Sequence, residues 1–97
     1  MSPELQARLE KLQIIVVAEG AEYSMFARDG CLGVAGWRSG RASIGSTGLA
    51  LEQGLAYLMW RGDNPVLVGR GFEMAASTEQ VERIRRFSAD LQSVLEG

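Results

Sequence analysis

The 97-residue chain contains no histidine, a single lysine and a single cysteine. Histidine is the usual proton carrier near neutral pH and the commonest metal ligand in proteins. Its absence excludes Ser-His-Asp and Cys-His catalysis and nearly all zinc sites. The carboxylates are also scattered along the chain rather than clustered. The sequence therefore favours a protein that is not an enzyme, and it predicts no catalytic residue, no metal site and no cofactor.

Disulfide bonds and long hydrophobic runs are missing as well. The lone Cys31 cannot form an intramolecular disulfide, and the first residues lack the basic segment and apolar core of a signal peptide. The longest uninterrupted apolar runs, 14–18 and 55–60, are too short to span a bilayer. We therefore expect a cytoplasmic protein with a reduced thiol and no membrane segment.

What the chain does contain is suited to one globular domain, 1–97. Hydrophobic residues make up 46% and charged residues 23% of the sequence, proportions that are typical of folded domains. The net charge of −2 argues against a nucleic-acid partner.

A helix start is the first recognisable element. Ser2 is suited to be an N-cap, and Pro3 and Glu4 to occupy the first turn. The apolar spacing that follows predicts one helix over about 3–19, which ends at Gly20. The β-branched run within 14–18 leaves an alternative open, in which a shorter helix is followed by a buried strand.

A hairpin is predicted around Asp29-Gly30, because this pair favours a two-residue turn between alternating segments at 22–28 and 31–37. The register divides these strands into two faces. We expect the core face to carry Tyr23, Met25, Ala27, Leu32 and Val34. The other face then carries Phe26, Cys31, Ala35 and Trp37, and since it is not very polar we expect something to cover it.

The middle of the chain is less clearly patterned. Residues 38–48 are predicted to form a loop, with at most a short strand near 42–45. Residues 49–60 fit either a helix or a strand. We favour a hairpin of 55–61 and 65–70, because Gly54 would interrupt the helix.

The C-terminal helix has the strongest pattern. Ser77 and Gln80 form a capping box, and one apolar stripe follows at helical spacing. The whole chain is thus predicted to be α+β, with an N-terminal helix, an antiparallel meander of four or five strands, and a C-terminal amphipathic helix on one sheet face. The stripe consists of Val81, Ile84, Phe87, Leu91, Val94 and Leu95.

Residues 40–47 have the spacing of a phosphate-binding loop, but Ser46 stands where that motif needs lysine. A nucleotide site is therefore not expected. A weaker prediction remains, in which arginines and hydroxyl groups of segment 38–47 bind a small anion or other small molecule. The candidate residues are Arg38, Arg41, Ser43, Ser46 and Thr47.

Self-association is the functional hypothesis that we favour. Two helices can cover one sheet face well and the other only in part, and an uncovered apolar face marks an interface. We expect a homodimer whose interface includes Phe26 or Trp37. The sequence thus predicts a non-enzymatic interaction module that self-associates, and the small-molecule or anion-binding domain is the alternative.

Overall fold

The chain forms a helix, a run of seven strands and a second helix, in a computed structural model that describes residues 2–38 and 41–96. Over these residues the strands pair in chain order, each antiparallel to the next. The predicted α+β class is confirmed, but the meander has seven strands instead of four or five. The elements are α1 (Pro3–Lys11), β1 (Ile15–Glu19), β2 (Tyr23–Arg28), β3 (Cys31–Arg38), β4 (Arg41–Leu51), β5 (Gly54–Arg61), β6 (Asn64–Gly69), β7 (Phe72–Ala75) and α2 (Thr78–Glu96).

The first helix is shorter than the predicted span of 3–19. It begins as expected, with Ser2 Oγ accepting a hydrogen bond from the Leu5 N–H at 3.2 Å, but it ends at Lys11. Gln13 then takes a positive φ of 60°, so the chain turns without a glycine. The β-branched residues after this turn form β1, so the alternative of a shorter helix followed by a strand is correct in its order of elements. The strand is mostly exposed, however, and not buried as that alternative expected.

Both predicted hairpins are confirmed. Asp29 and Gly30 have φ values of 48° and 79°, and Arg28 pairs with Cys31 across this turn. In strands β5 and β6, Ala56 pairs with Gly69 at the far end, and Arg61 pairs with Asn64 beside the turn. Gly62 takes the positive φ that this second turn requires.

The loop predicted at 38–48 is wrong, because most of this segment belongs to the long strand β4. Its serines and glycines have little intrinsic preference for strands. The ladder with β3 nevertheless holds them extended, with Ala35 opposite Ile44 and a bulge between Gly33 and Ala35. Tertiary pairing therefore overrides local propensity here.

Helix α2 follows its prediction closely. The Ser77 N–H donates to Gln80 Oε1 at 2.9 Å, and the Gln80 N–H donates to Ser77 Oγ at 3.1 Å. Of the predicted apolar stripe, Leu95 is partly buried and the other five residues are buried. Neither α2 nor α1 is long and apolar enough to cross a membrane in the part of the chain that is described.

Helix α2 packs on the sheet face opposite to the predicted one. Phe26 and Ala35 are both 0% exposed and belong to the core cluster that includes Phe87 and Leu91. The physical reason is close approach: a Cβ on Gly33 would lie only 2.9 Å from Leu91 Cδ2 and 3.0 Å from Phe87 Cε2. The small side chains on this face of β3 let the helix approach the sheet, so the predicted assignment of the two faces is wrong.

Candidate interaction surface

The sheet face turned away from α2, here named the open face, is the main candidate surface. Side chains alternate between the two faces along each strand, and the registers of the seven strands align the alternate residues into rows. Helix α2 packs on the other face, and α1 packs against α2. Leu32 on this face is only 7% exposed. The larger apolar members of the open face are Ile15, Tyr23, Met25, Leu32, Val34, Leu55, Tyr57, Met59, Val66 and Val68.

Several of these side chains are strongly exposed. Ile15 is 64% exposed, Tyr23 62%, Met59 49% and Leu55 45%. Soluble monomers rarely expose contiguous apolar patches larger than a few hundred Å². The open face is therefore a candidate interaction surface.

An ion pair on the same face is satisfied within the chain. Arg61 Nε donates to both carboxylate oxygens of Glu73, at 2.9 and 3.1 Å, and Arg61 Nη2 also contacts Glu73 Oε1. This hydrogen bonding holds the pKa of Glu73 below its usual value. The pair brings two opposite charges to the open face, and each charge is the partner of the other.

An open groove of about 570 Å³ crosses the open face. Its lining combines two aromatic rings, those of Tyr23 and Tyr57, with the hydroxyl groups of Ser43 and Ser46. Glycine contributes no side chain, so the groove reaches the backbone at the glycine positions. The remaining lining residues are Val34, Gly36 and Gly45.

The groove contains part of the predicted anion site. Ser43 and Ser46 both line it, whereas Thr47 pairs with Gly33 on the face that α2 covers. Thr47 Cγ2 would lie 3.5 Å from a Cβ on Gly33. The side chains of Arg38 and Arg41 fall outside what the structure describes. The structure thus separates Thr47 from the two serines, and anion binding stays a prediction.

The two residues predicted for the dimer interface lie on the covered face. Phe26 is 0% exposed in the core, so this side chain presents no surface to another chain, and its assignment to an interface needs correction. Trp37 is half-buried, and its Nε1 donates to Ser24 Oγ at 3.2 Å. The sequence assigned both residues to the face opposite to the one they occupy, and the interface role of Trp37 stays a prediction.

Arg28 is an ion-pair residue that the sequence did not reveal. Its side chain is 14% exposed, and its Nη2 lies 2.8 Å from Asp90 Oδ2. Its Nη1 donates to the Leu12 carbonyl at 3.1 Å, and its guanidinium carbon lies 5.6 Å from the ring centroid of Phe87. Arg28 therefore ties β2 to the end of α1 and to α2, a structural role that leaves it unavailable to a ligand.

Cys31 has the environment of a core residue. It is 3% exposed, and its Sγ donates to the Arg83 carbonyl at 3.8 Å. Burial raises the pKa of the thiol, against the opposing influence of Arg83 and Arg28. The thiol is thus protonated near neutral pH, and a protonated thiol is a poor nucleophile. Among the described residues, no cluster of histidine, cysteine and acidic side chains could hold a metal ion.

Comparison with known proteins gives no further guide: no protein-family model, no curated protein and no solved structure matches this chain.

Proposed function

We propose that this chain is a non-enzymatic interaction module that self-associates, and that two copies pack through their open faces. The observation that supports this most strongly is the exposure of Ile15, Tyr23, Leu55 and Met59 on one uncovered sheet face. Burial of apolar surface contributes roughly 25 cal/mol per Å², so covering such a face is favourable.

The open face is large enough for a dimer. Seven strands spaced about 4.8 Å apart, with about five residues each at 3.4 Å per residue, give roughly 500 Å² in projection. Protruding side chains increase the accessible area beyond this projection. Specific interfaces bury about 600–1,000 Å² on each partner, so nearly the whole open face would take part.

A second copy suits this face because a two-fold interface brings the same surface together from both sides. Each copy would supply an apolar sheet face, and two such faces pack about 10 Å apart in β-sandwiches. The Arg61–Glu73 pair is already compensated within each chain, so stacking would not bury either charge without a partner. We place this dimer in the cytoplasm, since the lone free thiol of Cys31 suits a reducing compartment.

Binding of a small molecule is the second candidate, and the groove favours it. Its volume of about 570 Å³ lies within the range of about 300–1,000 Å³ that is common for ligand sites. Tyr23 and Tyr57 could stack on a planar group, while Ser43 and Ser46 could donate hydrogen bonds to an anion. A thermal-shift screen of small anions and metabolites tests this candidate.

The self-association proposal is tested by a charge placed on the open face. We expect Met59→Lys to shift the protein toward monomer, because the new ammonium group would have to be buried in the interface. Ser93→Lys adds the same charge at an exposed position of α2 and should leave the dimer intact. Analytical ultracentrifugation measures both masses, and circular dichroism confirms the fold. A wild-type mass equal to the 10.5 kDa of one chain would contradict the proposal.

A further inference from the structure

We propose that the free edge of β4 binds an extended peptide, which adds to the sheet as a further strand. β4 pairs with β3 over 41–44 and 47–49, but it pairs with β5 only over 48–51. Within the described residues, no strand pairs with the other edge of residues 42–47. An internal strand of the sheet thus carries an unpaired edge, which is a template for pairing with another chain.

Along the free edge of β4, backbone N–H and C=O groups are spaced as strand addition needs. The Trp37 N–H donates to the Glu22 carbonyl at 2.8 Å, so the backbone groups of Trp37 turn toward β2. The backbone N–H and C=O groups of the neighbouring Gly36 therefore point toward β4, where Gly36 pairs with Ser43. By the same alternation, Ala42 and Ile44 direct their N–H and C=O groups to the free edge. Two residues spaced in this way present one repeat of a β-ladder.

Grooves flank this edge on both faces of the sheet. The first is the groove on the open face, and the second has a volume of about 220 Å³ and lies between β4 and the end of α2. Ser43 lines both grooves, so they border the same stretch of strand. The second groove is lined by Ala42, Ser43, Ile44, Gln92, Leu95 and Glu96.

The two grooves differ in chemistry and thereby define the partner. On the open face Tyr23 and Tyr57 offer aromatic rings. On the other face the carboxylate of Glu96 accepts a hydrogen bond from Gln92 Nε2 at 2.9 Å and keeps further acceptor sites. Alternate side chains of an added strand enter opposite grooves, while the main chain supplies affinity. The favoured partner is therefore an extended segment in which aromatic and basic residues alternate.

A fluorescein-labelled hexapeptide of alternating phenylalanine and lysine is the probe. Fluorescence anisotropy measures its binding to the Met59→Lys variant, because dimerisation through the open faces would cover the groove that Tyr23 and Tyr57 line. The control peptide has the same side chains but is N-methylated at alternate amides, so it cannot complete the ladder. We expect the first peptide to bind, with NMR shifts at the amides of Ala42 and Ile44, and the methylated peptide to bind at least about tenfold more weakly. Equal affinity of the two peptides, or no binding of the first, overturns the proposal.

Charge reversal on α2 gives a matched pair of variants. Glu96→Lys should weaken binding about tenfold, because a charge-assisted contact becomes repulsive. Glu79→Lys makes the same change in net charge at the other, exposed end of α2 and should leave the affinity unchanged. Equal weakening by both variants would show nonspecific attraction and overturn the assignment. The use of the Met59→Lys background separates strand addition from self-association, because the open face is uncovered in a monomer: loss of peptide binding there overturns strand addition, whereas the wild-type mass tests self-association.

Discussion

Replacing Phe87 by alanine removes the largest side chain that α2 buries against the sheet. Phe87 is 1% exposed, and its ring lies above Gly33, where a Cβ would come within 3.0 Å of the ring. The guanidinium of Arg28 lies 5.6 Å from the ring centroid. The substitution thus creates a cavity at the closest contact between the helix and the sheet.

The expected loss of stability follows from these contacts. Phenylalanine-to-alanine changes in protein cores lower the free energy of unfolding by about 3–5 kcal/mol. Gly33 has no side chain that could fill the space, and loss of the contact with Arg28 adds about 0.5–1 kcal/mol. We therefore expect a loss of about 4 kcal/mol. This is a large share of the roughly 5–15 kcal/mol that stabilises a domain, and it lowers Tm by roughly 15–30 °C.

Urea denaturation followed by circular dichroism measures this loss. The matched control is Arg85→Ala on the same helix, where the exposed side chain lies 5.6 Å from the ring centroid of Trp60. We expect this control to lose less than about 1 kcal/mol. If both variants lost the same free energy of unfolding, the side of α2 that carries Phe87 could not be the side that packs on the sheet.

Two further predictions concern backbone packing and the thiol. Gly48→Ala should lower the free energy of unfolding by more than about 2 kcal/mol, because its Cβ would overlap the Ala56 carbonyl oxygen. Gly45→Ala, where the nearest atom to the new Cβ is a carbonyl oxygen at 3.4 Å, should stay within about 0.5 kcal/mol of wild type in the same denaturant experiment. Since burial raises the pKa of Cys31, the unfolded chain ionises first as the pH rises, and the free energy of unfolding should fall above the usual thiol pKa. Cys31→Ala should lack this alkaline component, and identical pH profiles for the two proteins would contradict the account.

The elements that could be predicted are those with local signals. The Asp29-Gly30 turn requires positive φ at both positions, and this requirement is visible in the sequence. The capping box of Ser77 and Gln80 and the apolar stripe after it likewise define α2 within a short window. These features depend on neighbours in the chain, so they need no knowledge of the rest of the fold.

The errors concern features that depend on distant residues. β4 is extended because β3 pairs with it, although its serines and glycines indicate a loop. The covered face could not be chosen from hydrophobicity alone, since Met25 and Phe26 are both apolar and alternate along the same strand. What decides between the faces is the space above Gly33, which suits a helix. The small residues at alternate positions of β3 were the available signal for that choice.

Intermolecular NOEs test the central claim most directly. Protein with ¹³C-labelled methionine methyl groups is mixed with unlabelled protein, and an isotope-filtered experiment records contacts between the two copies. The account predicts contacts from the methyl groups of Met25 and Met59 to tyrosine rings of the other copy, because all of these groups lie on the open face. A spectrum without intermolecular contacts at millimolar concentration, or with contacts only from Met74 on the opposite face, would contradict it.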